Sequence, residues 1–325
     1  MRYTIFGESH GPAIGVTLEG VPSGVELDWD FIRSEMARRA PGQNAMSTAR
    51  RETDEPQVLS GVFENRTTGT PLCAVIQNTD TRSRDYSKLR DLPRPGHADY
   101  SGAVRYGGYN DYRGGGHFSG RLTAPMVFAG AVAKLILRQR GVEVTGRISN
   151  LAGIADPTPE QVEEAILAAK AEGDSVGGCI ACSVTGLAPG LGAPDFGCNV
   201  EGIFSQYLFA VPAVKGVAFG AGFGFAALRG SQANDPFYMD GETVRTRTNH
   251  TGGVNGGITN GMPVEFEVVL RPTPSISQPQ QTVSLSRRED AELVIEGRHD
   301  PCVVVRALPV IEAAAALAAC EVMGI

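Results

Sequence analysis

The chain has 325 residues, 42% of them hydrophobic, and a formal charge of −7. That apolar content can bury a substantial core, and a net-acidic surface repels nucleic acid and anionic lipid headgroups, so neither is an expected partner. The N-terminal MRYTIFGESHG carries no apolar leader core and no uninterrupted apolar run reaches the roughly 20 residues that span a bilayer, so a cytoplasmic protein with no membrane partner is expected.

Ile14, Val16 and Leu18 alternate within 12–19, the period of a half-buried strand, and GVPSG turns the chain after them. Asp28 caps a predicted helix whose Trp29, Ile32 and Met36 share one face and which Pro41-Gly42 stops. Arg38 and Arg39 fall in its last turn, where the carbonyl ends favour cations in any case. Arg50 and Arg51 form a second arginine pair with no helix end to account for it. QVLSGVF and PLCAVIQ are β-like runs around a turn at ENRTTGT, and the polar NTDTRSRDYSKLRD after them reads as a lid.

The stretch 94–121, RPGHADYSGAVRYGGYNDYRGGGHFSGR, reads as too irregular for helix or strand and as the active-site loop. Pro95-Gly96 forces a turn before His97, and Gly114-Gly115-Gly116 before His117 lets the backbone approach a ligand. Arg94, Arg105, Arg113 and Arg121 offer planar charged forks suited to phosphate or carboxylate. A solvated glycine loop bearing surface arginines is the alternative reading of this stretch by itself.

LTAPMVFAGAVAKLILRQR is apolar nearly all round and predicts a buried helix. Thr158 to Gln161 form a capping box that opens a helix closed by Gly173. CIACSV, with Cys179 and Cys182 as a C-x-x-C lacking a second pair, reads as a buried strand, and no metal site is expected. The following helix carries Val200, Ile203, Phe204 and Tyr207; 217–228 reads as glycine-interrupted strand and MPVEFEVVL as a strand. LPVIEAAAALAACEV is a last helix with Pro309 in its first turn. The second half resembles the first in outline, so an internal duplication is considered, and the elements lack the βαβ rhythm of a parallel sheet.

Neither a P-loop nor a complete dinucleotide-binding glycine fingerprint is present. What remains are clusters of His, Asp and Arg, and histidines flanked by arginines suit a reaction that expels phosphate while moving a proton. GESHG, RRAPGQ, RPGHADY, YRGGGHFSGR, GSQAND and GRHDPC, in that order over nearly the whole length, resemble the motifs of the chorismate synthase family. The resemblance implies an α+β fold, a β-α-β sandwich of antiparallel sheets around central helices, as one domain over residues 1–325 and as a homotetramer. It implies a carbon–oxygen lyase of the shikimate pathway of aromatic amino-acid biosynthesis, which makes chorismate by 1,4-anti-elimination of phosphate from 5-enolpyruvylshikimate 3-phosphate. The implied cofactor is reduced FMN, not consumed overall, with NADPH or an external flavin reductase as alternative sources of its electrons.

By the same resemblance His10 protonates the departing phosphate, His97 protonates the reduced flavin, and Asp300 helps pass on the substrate proton. Arg39, Arg50, Arg51, Arg94, Arg121 and Arg298 would bind substrate anions. His117, Phe118, Ser119, Gln232, Ala233, Gly256, the run Arg271, Pro272, Thr273, Pro274 and Ser275, and Arg298 would hold the flavin. Three positions depart from the family pattern: Ala45 in place of an arginine, Leu122, and Pro274, which removes a backbone donor and a hydroxyl from the phosphate-binding run. A flavin-binding relative without the chemistry is the competing reading, and retention of His10, His97 and Asp300 together favours the enzyme.

Overall fold

The computed structural model describes residues 1–42, 54–79, 88–195, 197–295 and 300–325. Strands β1 (Arg2–Gly7) and β2 (Ala13–Glu19) form an antiparallel hairpin, with Arg2 opposite Glu19 and Gly7 opposite Ile14. The alternation that predicts β2 buries Ile14, Val16 and Leu18 completely, whereas β1 alternates only between exposed and half-buried positions and so left no apolar stripe to read. Helix α1 (Trp29–Arg39) starts on Asp28, whose carboxylate accepts from the Phe31 N–H at 2.9 Å, and it buries Ile32 and Met36. Strand β3 (Gln57–Ser60), the ribbon of β4 (Val62–Phe63) with β5 (Arg66–Thr67), and β6 (Leu72–Gln77) follow. The first sheet is antiparallel in the order β1-β2-β6-β3.

The stretch 94–121, expected to be irregular throughout, contains helix α2 (Asp99–Arg105) and two 3₁₀ turns, Arg113–Phe118 and Gly120–Leu122. Helix α2 is hard to foresee because it has seven residues and a glycine at its centre. That glycine is required by packing: a Cβ on Gly102 would lie 2.6 Å from the Phe118 ring. Helix α3 (Thr123–Arg138) is buried from Thr123 to Leu137. Residues 120–138 are long and apolar enough to cross a bilayer by length and composition alone, but Arg121 and Lys134 interrupt the stretch and it is 83% buried inside the protein, as a core helix is.

The second sheet is built from β7 (Glu143–Leu151), β8 (Ile154–Ala155), β9 (Gly178–Thr185), β10 (Val214–Phe219) and β15 (Val264–Leu270), antiparallel in the order β10-β15-β9-β7-β8. Helix α4 (Pro159–Ala171), opened by the predicted Thr158–Gln161 capping box, and helix α5 (Val200–Phe209) lie between its strands in sequence. Between β10 and β15 come the short α6 (Gly230–Ala233), the hairpin β11 (Phe237–Asp240)/β12 (Thr243–Thr246) and the ribbon β13 (Val254–Asn255)/β14 (Ile258–Thr259). The hairpin β16 (Gln280–Ser284)/β17 (Glu289–Leu293) precedes α7 (Val304–Val322). Strand character ends at Phe219 instead of continuing to 228, because Gly220 and Gly222 take φ of 54° and 51° and turn the chain into a 3₁₀ segment. Helix α7 starts at Val304, so Pro309 sits inside it, where its missing N–H removes one helical hydrogen bond.

Helix α3 packs on β1, β2 and β6, α7 packs on β7 and β9, α3 and α7 lie against each other, and α1 and α5 both touch α7. Two antiparallel sheets thus cover a central helical layer through one continuous apolar core. A Cβ on Gly130 would fall 2.2 Å from that of Ala313, so α3 and α7 meet backbone to backbone. Within this layer Lys134 Nζ donates to Glu35 at 2.5 Å and to Glu312 at 2.7 Å, and Arg38 donates to both oxygens of Glu312 at 2.6 and 2.8 Å. Burial pushes the Glu312 carboxyl up, but Arg38 and Lys134 outweigh it and hold the group below the usual range. Arg38 therefore serves the interior.

Candidate active site

The three glycines at 114–116 all have positive φ, of 58°, 82° and 53°, and each is a point of contact. A Cβ on Gly114 would lie 2.1 Å from both Cε1 and Nδ1 of His10, and one on Gly115 would lie 3.1 Å from Cε1 and Nε2 of His97. A Cβ on Gly116 would lie 2.0 Å from the Asp111 carbonyl oxygen. Two histidines 87 positions apart in sequence thus rest on successive residues of one loop. The Ser9 N–H donates to the Gly116 carbonyl at 3.1 Å, which fixes the GESHG turn to that loop, and His10 is buried with Nδ1 3.3 Å from Ser9 Oγ. Glu8 lies beneath, one carboxylate oxygen buried without a hydrogen bond, and burial raises its pKa.

His97 is held from its own turn. Its Nδ1 is 2.7 Å from Asp99 Oδ1, and Asp99 also accepts from the Arg94 backbone N–H at 3.0 Å, Nε at 2.7 Å and Nη2 at 2.8 Å. Burial pushes Asp99 up, but these hydrogen bonds and charges hold its carboxyl far below the carboxylate range. Arg94 Nη1 donates to Ser275 Oγ at 3.1 Å, and Gly96 lies against Arg271 and Pro274, so the 271–275 run adjoins the His97 turn. Thr273 Oγ1 is buried there with no hydrogen-bond partner. A cleft of about 440 Å³ opens beside these groups, with His97, His117, Phe118 and Arg271 facing Tyr3, Ile5, Leu122 and Met126. His117 is exposed, its Nδ1 3.0 Å from the Gly7 carbonyl, and Ser119 Oγ accepts from the Arg121 N–H at 3.3 Å.

Arg39 and Arg121 converge on Asp54. Arg39 donates to Asp54 at 2.8 Å, to Thr123 Oγ1 at 3.1 Å and to the Gly120 carbonyl at 2.8 Å. Arg121 pairs with the other Asp54 oxygen and donates to Asn78 Oδ1 at 3.0 Å. Burial, with Arg306 and Arg121 nearby, depresses Arg39 to about 10 against the support of Asp54. The Asp54 carboxyl is pushed up by burial, yet Arg39 and Arg121 keep it below its usual value. Asp300 is ion-paired to Arg306, whose Nε donates to the Arg39 carbonyl at 3.0 Å, so it belongs with the arginine group. Among the described residues this group brings the guanidinium cations of Arg39, Arg121 and Arg306 together with the carboxylates of Asp54 and Asp300.

Arg50, Arg51 and Arg298 lie outside the described residues, as does Ala45. Gln232 and Ala233 lie in α6, where Gln232 Oε1 accepts from the Arg229 N–H at 3.0 Å, and Gly256 lies between β13 and β14; none of the three lines the cleft. Asp54, Asp99 and Arg306 are functional candidates that the sequence reading did not name. Asp99 had a signal, since it follows His97 by two residues inside RPGHADY.

The sequence profile described as chorismate synthase matches residues 1–323. A protein named chorismate synthase from Thermococcus kodakarensis is 47% identical, over 97% of this chain and 94% of its own. Another from Dehalococcoides mccartyi is 45% identical over 96% and 92%, and a third from Chitinophaga pinensis is 45% identical over 99% and 94%. A solved structure titled as the crystal structure of chorismate synthase superposes with a TM-score of 0.76 at 26% identity, covering 99% of this chain and 91% of that one. With the sandwich fold and six ordered motifs already in place, the match over the whole length settles the assignment: the chain belongs to the chorismate synthase family.

Proposed function

We propose that the protein converts 5-enolpyruvylshikimate 3-phosphate into chorismate, as a carbon–oxygen lyase that breaks one C–O bond to phosphate and one C–H bond in a 1,4-anti sense. The observation that carries this reading is the pair His10 and His97 seated on Gly114 and Gly115 beside a buried arginine group. Arg39 and Arg121, pre-aligned by Asp54, present fixed positive charge to the substrate anions, with Arg50, Arg51 and Arg298 expected around the same pocket. His10 supplies a proton to the departing phosphate, and Asp300 accepts the proton lost from carbon.

The residues present fit a reduced FMN. The cleft volume is within the range of small-molecule sites, its apolar lining suits a flavin ring, and the buried Thr273 hydroxyl lacks the partner that a phosphate oxygen would supply. Arg271, Thr273 and Ser275 would hold the phosphate, with His117, Phe118 and Ser119 along the ring and Gln232, Ala233 and Gly256 further out. When bound, a reduced flavin would supply redox chemistry with no net consumption of the cofactor. His97 holds a proton for the flavin side, and Phe118 and Leu122 exclude water. The continuous core supports one domain over 1–325. A cytoplasmic homotetramer fed by NADPH or an external flavin reductase completes the reading.

An anaerobic assay with dithionite-reduced FMN, following phosphate and chorismate together, tests it. Equal yields of the two products are expected. Protein that binds reduced FMN and substrate yet releases neither product refutes the activity.

A further inference from the structure

We propose that Asp99 is a positioning residue that fixes the tautomer of His97: it keeps the ring proton on Nδ1, so that Nε2 is the nitrogen that exchanges protons in the cleft. The role given to His97 rests on the activity proposed above; the tautomer does not. His97 Nδ1 lies 2.7 Å from Asp99 Oδ1, a distance at which the nitrogen must be the donor, because an ionised carboxylate only accepts. The acid is ionised in this setting by construction, since it accepts from three nitrogens of Arg94 as well. The other edge of the ring, Cε1 with Nε2, lies over Gly115, where any side chain would crowd it. Arg94 Nη2 is 3.1 and 3.2 Å from the two ring nitrogens, equidistant and so set across the ring instead of along one lone pair. Among the described residues the charged or titratable groups around His97 are Asp99 and Arg94 from its own turn, with Arg271 and His117 sharing the cleft.

This arrangement gives Arg94 a task different from clamping substrate. Two of its nitrogens and its backbone N–H hold Asp99, and its third nitrogen reaches Ser275 at 3.1 Å in the run proposed for the flavin phosphate. The phosphate run and the proton-carrying ring are joined through one guanidinium and one carboxylate.

Asn at 99 separates positioning from mere loop stapling. Its carbonyl is favoured at the Oδ2 position, where it keeps both the Arg94 backbone N–H and Nε and gives up only the Nη2 bond, and its NH₂ then faces His97 Nδ1. A donor there forces the ring proton onto Nε2. Nitrogen-15 NMR of the apo protein reads the tautomer directly, with His97 signals assigned by their loss in His97→Gln. The wild type, at a pH where the ring is neutral, is expected to show Nδ1–H. Asp99→Asn is expected to show Nε2–H, to bind reduced FMN as before, and to lose on the order of 10² to 10⁴ in kcat with little change in KM. Asp99→Glu, which can still accept from Nδ1, is expected to restore the tautomer and part of the rate. A wild-type spectrum dominated by Nε2–H overturns the proposal whether or not Asp99→Asn folds, and so does an unchanged tautomer in Asp99→Asn. Failure of the proposed activity has a different signature: wild type makes no chorismate, while the spectra still decide the tautomer.

Discussion

Gly114→Ala tests whether the glycine loop seats His10. The added Cβ would fall 2.1 Å from Cε1 and Nδ1 of His10 and 3.1 Å from Ser9 Oγ. Carbon contacts are comfortable at about 3.5 Å or more, so the ring must retreat by more than about 1 Å. A misplacement of about 1 Å in a catalytic group costs roughly 10² in rate. There is a second effect, because φ at 114 is 58° and a residue with a Cβ in that region costs about 1–2 kcal/mol. Gly108→Ala provides the control: φ there is 81°, and nothing lies within 4 Å of an added Cβ. Both variants should lose the stability that the positive φ costs, on the order of 2 °C for each kcal/mol, with a further loss in Gly114→Ala from the overlap with His10, and only Gly114→Ala should lose about 10² in kcat. Gly115→Ala, with its Cβ at 3.1 Å from His97, should fall between them. The measurements are thermal melts and kcat in the anaerobic assay. A folded Gly114→Ala enzyme with near wild-type kcat refutes the reasoning, as does an equal kcat loss in Gly108→Ala.

His10→Ala and His97→Ala should each reduce kcat by roughly 10² to 10⁴ with the fold intact, and the double variant should fall short of the product because both serve one reaction; steady-state kinetics on the four proteins checks this. Asp54→Ala strips the shared carboxylate from two buried arginines and should destabilise the protein by about 3–5 kcal/mol in urea melts, since both cations lose that buried counter-charge. Asp235 is pushed up by burial, but hydrogen bonds from Thr251, Thr248 and His250 hold it at about 2. Its folded value is below the unfolded one of about 3.9, so its contribution is full above that value and is lost as pH falls toward 2. Asp235→Asn should therefore make the acid limb of stability shallower between about pH 4 and 2, and an unchanged limb would rule that contribution out.

Where a residue pattern maps onto local geometry, the fold is legible in the sequence. The Ile14-Val16-Leu18 alternation, the Asp28 cap, the Thr158–Gln161 capping box and the apolar stretch of α3 all appear as read. Features set by tertiary packing were not visible: α2, whose central Gly102 meets the Phe118 ring, and the start of α7 at Val304, ahead of Pro309. The site divides the same way. His10, His97 and the glycine run could be picked out from local motifs, whereas the partners that orient them could not. Asp54 reaches Arg121 across 67 positions and Arg306 reaches the Arg39 carbonyl across 267, and no local periodicity encodes such pairs.

The contact between Gly130 and Ala313 acts as a caliper. Tyr3 and Ile5 of the cleft belong to the first sheet, Met126 to α3, and Arg271 follows directly from β15 of the second. The two walls are therefore carried by opposite sides of the helical layer, and the thickness of that layer sets how far apart they stand. Because α3 and α7 touch at a position where only hydrogen fits, a larger residue at 130 must push the two helices apart and shift the cleft residues they carry. A widened gap should appear as weaker flavin affinity in Gly130→Ala, at a residue that touches neither ligand nor catalytic group.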